Sequence, residues 1–190
     1  PQTESGGANG TGGSTEPPAC SSVDESPVDS LIAGRAHNCV LLVNGDLRCW
    51  GGNSAGQLGD GTLTDRFTPT AVILRGVHAV AASGGHTCAL MNTGGVRCWG
   101  FNVLGQLGDG TLNSRSTPPD ADVLTDVREV AAGGNQTCAV MNSGGVRCWG
   151  SWRASPPTTD ILAEVKHISL GNDFACAQTM SDAVRCWGDN

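Results

Sequence analysis

Between residues 28 and 190, short apolar stretches alternate with glycine-rich polar segments, and no stretch keeps a helical period for long. Residues 78–100, HAVAASGGHTCALMNTGGVRCWG, show the unit. An apolar strand centred on Val80 runs into a turn at Ser83-Gly84-Gly85. Thr87 to Met91 and Val96 to Trp99 then form a hairpin around Asn92-Thr93-Gly94. Leu31, Val130 and Ile168 occupy the place of Val80 in three other stretches. Short strands separated by turn residues predict an all-β fold.

The hairpins are copies of one another. Arg-Cys-Trp-Gly occurs at Arg48–Gly51, Arg97–Gly100, Arg147–Gly150 and Arg185–Gly188, so the hairpin units end near 51, 100, 150 and 188. Successive copies lie 49, 50 and 38 residues apart. A period near 50 residues predicts a propeller or solenoid with one supersecondary unit per copy. Each copy carries a second cysteine ten positions upstream, at Cys39, Cys88, Cys138 and Cys176. A three-residue hairpin loop places its third residue in the left-handed region. That place holds Gly45, Gly94, Gly144 and Asp182. In this register the two cysteines of a copy face each other as a non-hydrogen-bonded pair, about 4.5 Å apart at Cα. A disulfide spans that distance. The expected bonds are Cys39–Cys49, Cys88–Cys98, Cys138–Cys148 and Cys176–Cys186, each worth roughly 2–3 kcal/mol in the chain-entropy picture.

Reduced buried thiols and zinc ligands are the alternative readings of the cysteines. Zinc sites use closely spaced Cys-x2–4-Cys pairs, which the chain lacks. His37 and His86 each lie two residues before a cysteine, but Gln136 and Phe174 hold the matching places, so no metal is expected. Cys20 is the ninth cysteine; a partner outside this stretch of chain, an intermolecular link or a free thiol are its alternatives, the first or an unpaired thiol being favoured.

A second motif joins the copies. Gly56-Gln57-Leu58-Gly59-Asp60-Gly61-Thr62 recurs as Gly105 to Thr111, each followed by Arg66-x-x-Pro69 or Arg115-x-x-Pro118. It reads as a tight loop with one apolar anchor, Leu58 or Leu107, leading to an edge segment. The Lys-Ser/Thr ending of a phosphate loop is absent, and one Asp per loop is thin ligation for calcium. Asp60 and Asp109 are therefore expected to cap turns or pair with arginine. Trp50, Trp99, Trp149 and Trp187 are expected as core side chains between repeats, and Arg48, Arg97, Arg147 and Arg185 as repeated stacking or ion-pair partners. The third copy lacks twelve residues and the loop motif, passing from Gly150 through Trp152 and Arg153 to the next strand. Trp152, Arg153, Phe101 and Val103 fall in variable connections and are the candidate binding residues.

Composition narrows the function. Eleven Lys and Arg face eighteen Asp and Glu, a formal charge of −7. Nucleic-acid binding needs a basic face, so no nucleic acid is expected. No apolar run suits a transmembrane segment. Residues 1–27 read as a flexible linker, since 1–19 contain no Leu, Ile, Val, Phe or Trp; residues 28–190 hold the repeats. The opening Pro1-Gln2-Thr3 shows no leader pattern, so either a leader has been removed or the chain is an excised piece. Asn9 and Asn135 head Asn-x-Thr sequons, which matter where the host glycosylates. Cysteines at this density place the chain outside a reducing cytosol. No Gly-x-Ser-x-Gly, His-Glu-x-x-His or clustered acid/base set suggests an enzyme, and no cofactor is expected.

The unit [V/I]-x-A-x-G-x-x-H-x-C-A-L-x-x-x-G-x-V-x-C-W-G-x-N-x-x-G-Q-L-G-D-G-T resembles the regulator of chromosome condensation repeat. The resemblance covers about residues 28–190. It implies a β-propeller, often of seven blades with four strands each, of which about four blades are present here as a partial ring with open edges. The cysteine-containing version is similar to repeats of secreted or surface proteins of bacteria. The resemblance implies a non-catalytic binding module in an extracellular or cell-envelope setting, recognising a protein or glycan through loops on a propeller face. Alternatives are a guanine-nucleotide-exchange regulator of a small GTPase or a propeller-type enzyme inhibitor. Intermolecular contact through Cys20 or the open edges is a further expectation.

Overall fold

The computed structural model describes residues 26–151 and 153–189. Cys20 and Trp152 lie outside the described residues. Twelve strands form four antiparallel sheets of three, with no helix among the described residues. The first sheet is β1 (Val28–Ala33), β2 (His37–Leu42) and β3 (Leu47–Gly51). The second is β4 (Val77–Ala82), β5 (His86–Met91) and β6 (Val96–Gly100). The third is β7 (Val127–Gly133), β8 (Gln136–Met141) and β9 (Val146–Gly150). The fourth is β10 (Val165–Leu170), β11 (Phe174–Thr179) and β12 (Val184–Gly188). These are the blades of a partial propeller ring.

The hairpin geometry sets the register. In the second blade Met91 N–H donates to Gly95 O at 2.8 Å and Gly94 N–H to Met91 O at 2.9 Å. The residue at the left-handed place has φ of 81° at Gly45, 80° at Gly94, 87° at Gly144 and 60° at Asp182. Register then runs Leu90–Val96, Ala89–Arg97, Cys88–Cys98. All four expected disulfides are present, with Cα separations of 4.0 to 4.1 Å. The inner strand of every blade carries a register shift near its start, as between Val77 and Ala79.

In the first three blades the fourth-strand position is held by two isolated bridges. Leu47 meets Leu74 and Gly51 meets Arg66; Val96 meets Leu124 and Gly100 meets Arg115; Val146 meets Leu162 and Gly150 meets Arg153. Arg97 and Arg147 pair with Asp122 and Asp160 of these outer segments at 2.7 and 2.8 Å. The ion pairs thus close the outer edge of one blade rather than link two.

The core lies between successive blades. One cluster joins Cys39, Leu41, Leu47 and Cys49 of the first blade to Ala89, Met91 and Trp99 of the second, with Leu58 among them. The next joins Cys88, Leu90, Val96 and Cys98 to Ala139, Met141 and Trp149, with Leu107. Each blade offers its cysteine face forward and its tryptophan face backward. Trp99 and Trp149 are fully buried, whereas Trp50 and Trp187 are half-buried.

Beside these clusters run two buried polar relays. Thr87 Oγ1 donates to Gln57 O at 2.8 Å and lies 2.7 Å from His37 Nε2. A hydroxyl has one proton, so His37 Nε2 must be the donor to Thr87. Likewise Thr137 Oγ1 donates to Gln106 O at 2.8 Å and accepts from His86 Nε2, also at 2.8 Å. Ser83 Oγ completes this relay at His86 Nδ1, 2.7 Å away. The first blade has Gly34 in the place of Ser83, and His37 Nδ1 has no partner among the described residues. Both imidazoles are neutral donors. Burial lowers the His37 pKa to about 4. Burial, helped by the neighbouring His37, lowers that of His86 to about 3.

Protonation at these sites favours the unfolded chain, whose histidines titrate near 6.5. The relays contribute full stability above about pH 6.5, and that contribution falls as pH drops toward the folded values. Between pH 7 and pH 5 each histidine is expected to cost about 2 kcal/mol. Urea unfolding at the two pH values checks this. His86→Gln should lose about 2 kcal/mol less than the wild type over that interval; equal losses would contradict the relay.

Candidate binding surface

At one end of every sheet the second strand begins and the third strand ends. The long connections between blades leave from this end and form a loop rim. Each of the first two connections folds around one buried asparagine. Asn102 Oδ1 accepts the Leu107 N–H at 2.9 Å, and its Nδ2 donates to Thr111 O and Asn113 O at 3.1 and 3.0 Å. Asn53 holds Leu58, Thr62 and Thr64 in the same way. Both asparagines are fully buried.

Asp60 accepts from the Thr62 N–H at 3.0 Å and the Thr62 hydroxyl at 2.7 Å. Its other oxygen pairs with Arg66 Nε at 2.6 Å. Burial alone would raise the Asp60 pKa, but the Thr62, Arg66 and Asn53 hydrogen bonds together hold it below the ordinary carboxylate value. Asp109 caps Thr111 identically, while Arg115 turns to the Thr117 carbonyl. Both aspartates are turn caps within the rim loops.

Each loop also straps the following blade. Gly61 N–H donates to Ser116 O at 2.9 Å and Gly110 N–H to Ala154 O at 2.8 Å. Gln57 O accepts the Trp99 indole N–H at 3.0 Å, and Gln106 O accepts that of Trp149 at 3.1 Å. Gly59 and Gly108 lie flat on these indoles; a Cβ there would sit 2.6 and 2.5 Å from Nε1. The rim is thereby a rigid platform rather than a set of free loops.

Phe101 and Val103 share the second rim loop. Phe101 is half-buried over Gly85, while Val103 is 47% exposed. Gly105 of that loop rests against the backbone of Arg153 and Ala154, and Arg153 is exposed. Arg153 is also the counterpart of Arg66 and Arg115, since it bridges to Gly150 as they bridge to Gly51 and Gly100. Its Arg-x-x-Pro spacing, Arg153 to Pro156, is the signal for that register. The structure adds exposed apolar residues that the sequence reading passed over: Leu63 and Leu112, which follow the Gly-Asp-Gly-Thr turns, and Phe67, 97% exposed on the outer segment. Among the described residues no cluster of His, Cys, Asp and Glu is built to hold a metal, and no helix is long and apolar enough to cross a membrane.

Family models described as Regulator of chromosome condensation (RCC1) repeat match residues 44–90 and 93–140 in one form and 29–57 and 77–106 in another. The chain belongs to the RCC1 repeat family. Among curated protein sequences none matches it. Among solved structures, human WBSCR16 is similar at 26% identity and a TM-score of 0.77, over 87% of this chain and 48% of that one. Yeast RCC1 (Prp20), solved bound to Kap60, is similar at 20% identity and a TM-score of 0.75, over 88% and 45%. The CRINKLY WD40 ectodomain of the Arabidopsis thaliana receptor kinase ACR4 gives 21% identity and a TM-score of 0.55, over 86% and 51%. The chain therefore spans about half the length of the solved relatives it matches. The latter two likenesses show the shared fold alone.

Within the RCC1 repeat the buried asparagine separates scaffold from surface. Asn102→Ala leaves the Leu107 N–H and two carbonyls without their partner, an expected loss of about 1–3 kcal/mol. Val103→Ala, one residue away and exposed, should change stability by less than about 0.5 kcal/mol. Urea unfolding of both variants checks this; equal effects would contradict the hub.

Proposed function

We propose that this RCC1-repeat propeller is a non-catalytic binding module acting in an extracellular or cell-envelope setting. It recognises a protein or glycan partner through the rim connections that carry Phe101, Val103 and Arg153. One observation carries the setting: four intrachain disulfides, one per blade, which a reducing cytosol does not maintain. The pre-organised rim supports the mode, because a rigid platform with exposed apolar residues loses little freedom on binding. The receptor-kinase ectodomain shows that the same fold is used outside a cell.

A second reading, regulation of a small GTPase, draws on the resemblance and on the yeast relative, whose structure is described together with its binding to Gsp1p and histones. The net charge of −7 disfavours a nucleic-acid partner.

The test is intact mass after alkylation under denaturing, non-reducing conditions, on protein purified from its natural source. A single alkylated thiol, Cys20, with eight hydrogens missing is the expected result. Nine alkylated thiols would contradict the proposed setting and make nucleotide exchange on a small GTPase the assay to run.

A further inference from the structure

The first two blade joints contain a buried imidazole, and the third has none in that place. His37 Nε2 donates to Thr87 across the first joint, and His86 Nε2 to Thr137 across the second. At the third, Gln136 and Ala175 hold the histidine and threonine places. Each threonine passes its own proton to Gln57 O or Gln106 O, the carbonyl that also takes the tryptophan indole of the following blade. The histidines therefore stand in the contact that fixes a rim loop to the next blade.

These sites have no room for a second proton. Both rings are buried. Nε2 is spent on threonine, so an added proton goes to Nδ1. In His86 that atom faces the Ser83 hydroxyl, which would have to give up its donation. No counter-charge is at hand. The relay strands β2, β5 and β8 contain no Asp, Glu, Lys or Arg, nor do loop residues 53–59 and 102–108 or turn 83–85. Arg35, in the turn before β2, is exposed and offers its backbone N–H to Ser83 O at 3.2 Å. The strands packed on β2 and β5 carry Asp29, Arg48, His78, Arg97, Arg128 and Glu129, all toward the other end of their sheets. Level with the histidines those strands place Gly51 and Gly100, whereas Arg48 lies opposite Val40 and Arg97 opposite Ala89. The remaining titratable neighbour of His86 is His37, whose own charge would repel it. A buried cation without a partner is costly, and parting the blades relieves it.

The third joint is held by other means. Arg128 donates to the carbonyls of Val165 and Lys166. Glu129 accepts from the Ile168 N–H at 3.1 Å and meets His167 at 3.3 Å. Protonation of His167 turns that last contact into an ion pair, so acid does not work against it. Cys138, Val140 and Val146 pack on Val165, Ile168 and Ala177 beside these contacts.

We infer that the first two joints form an acid-released catch: protonation of His37 and His86 parts the first three blades and frees the rim loops, while the third joint stays closed. The inference deepens the reading of the rim as a binding surface and rests on it, since the loops released are those that carry Phe101 and Val103. Lowering the pH from 7 to 5 should multiply the open population of each of the first two joints roughly twentyfold, because an opened joint exposes an imidazole that titrates near 6.5.

The disulfides report each joint separately. Cys39–Cys49 faces the first joint, Cys88–Cys98 the second and Cys138–Cys148 the third. The test uses the full 190-residue chain in its oxidised form, with tris(2-carboxyethyl)phosphine as probe at pH 7 and pH 5. Each event consumes one phosphine and one water, breaks one S–S bond and leaves phosphine oxide and two thiols. The thiols are blocked with N-ethylmaleimide and located by peptide mass spectrometry. Taking each rate relative to Cys138–Cys148 removes the pH dependence of the phosphine itself. Between pH 7 and pH 5 the relative rates of Cys39–Cys49 and Cys88–Cys98 should rise roughly ten- to twentyfold. His86→Gln should abolish the rise at Cys88–Cys98 and keep it at Cys39–Cys49; His37→Gln should do the reverse. Relative rates that do not change with pH, or a rise at Cys88–Cys98 that survives His86→Gln, would overturn the inference. No partner enters this readout, so the catch and the proposed binding function can fail separately.

Discussion

Two loop carbonyls set the relation between blades. Gln57 O and Gln106 O each accept two hydrogen bonds, from a tryptophan indole and a threonine hydroxyl of the following blade. Donors so deeply buried would be costly to leave unpaired, so a loop out of place penalises both at once. The same loop inserts its leucine into the inter-blade core and lays a glycine on the indole. Neutral histidines on the preceding blade finish the arrangement by donating to the same threonines. Each blade is small and stapled by its own disulfide, but the stack is ordered by these joints.

Much of this was legible in the residues. A three-residue hairpin loop admits one register, and Gly45, Gly94, Gly144 and Asp182 mark it; the cysteine pairing follows because register decides which side chains face each other. Leu58 and Leu107 were recognisable as anchors because each is the lone large apolar residue in a glycine-rich loop. The relay was harder to see because its members belong to different copies. His37 and His86 sit two residues before a cysteine, while their threonine partners lie a full repeat further along, at Thr87 and Thr137. Read within one copy the histidines seem incidental. Read across copies they pair, and Gln136 with Ala175 shows both members changing together. The shortened connection hides the register of Arg153 with Arg66 and Arg115, so from the residues alone it reads as part of a variable loop.

The third joint shows how a repeat can be altered without losing the ring. Removing twelve residues takes away the carbonyl, the leucine and the indole cover in one step. An inner clamp of Arg128 and Glu129 holds the blades instead. Stability at that joint comes from these polar contacts together with an apolar core that joins Cys138, Val140 and Val146 to Val165, Ile168 and Ala177.

Hydrogen exchange of the tryptophan indole protons, followed by NMR in the intact chain, tests the joint most directly. Trp99 and Trp149 should exchange only through unfolding that separates the blades, and their rates should fall and rise with global stability in dilute urea. The Trp187 indole should exchange orders of magnitude faster and ignore urea. Equal protection at all three sites would contradict the central role given to the loop carbonyls.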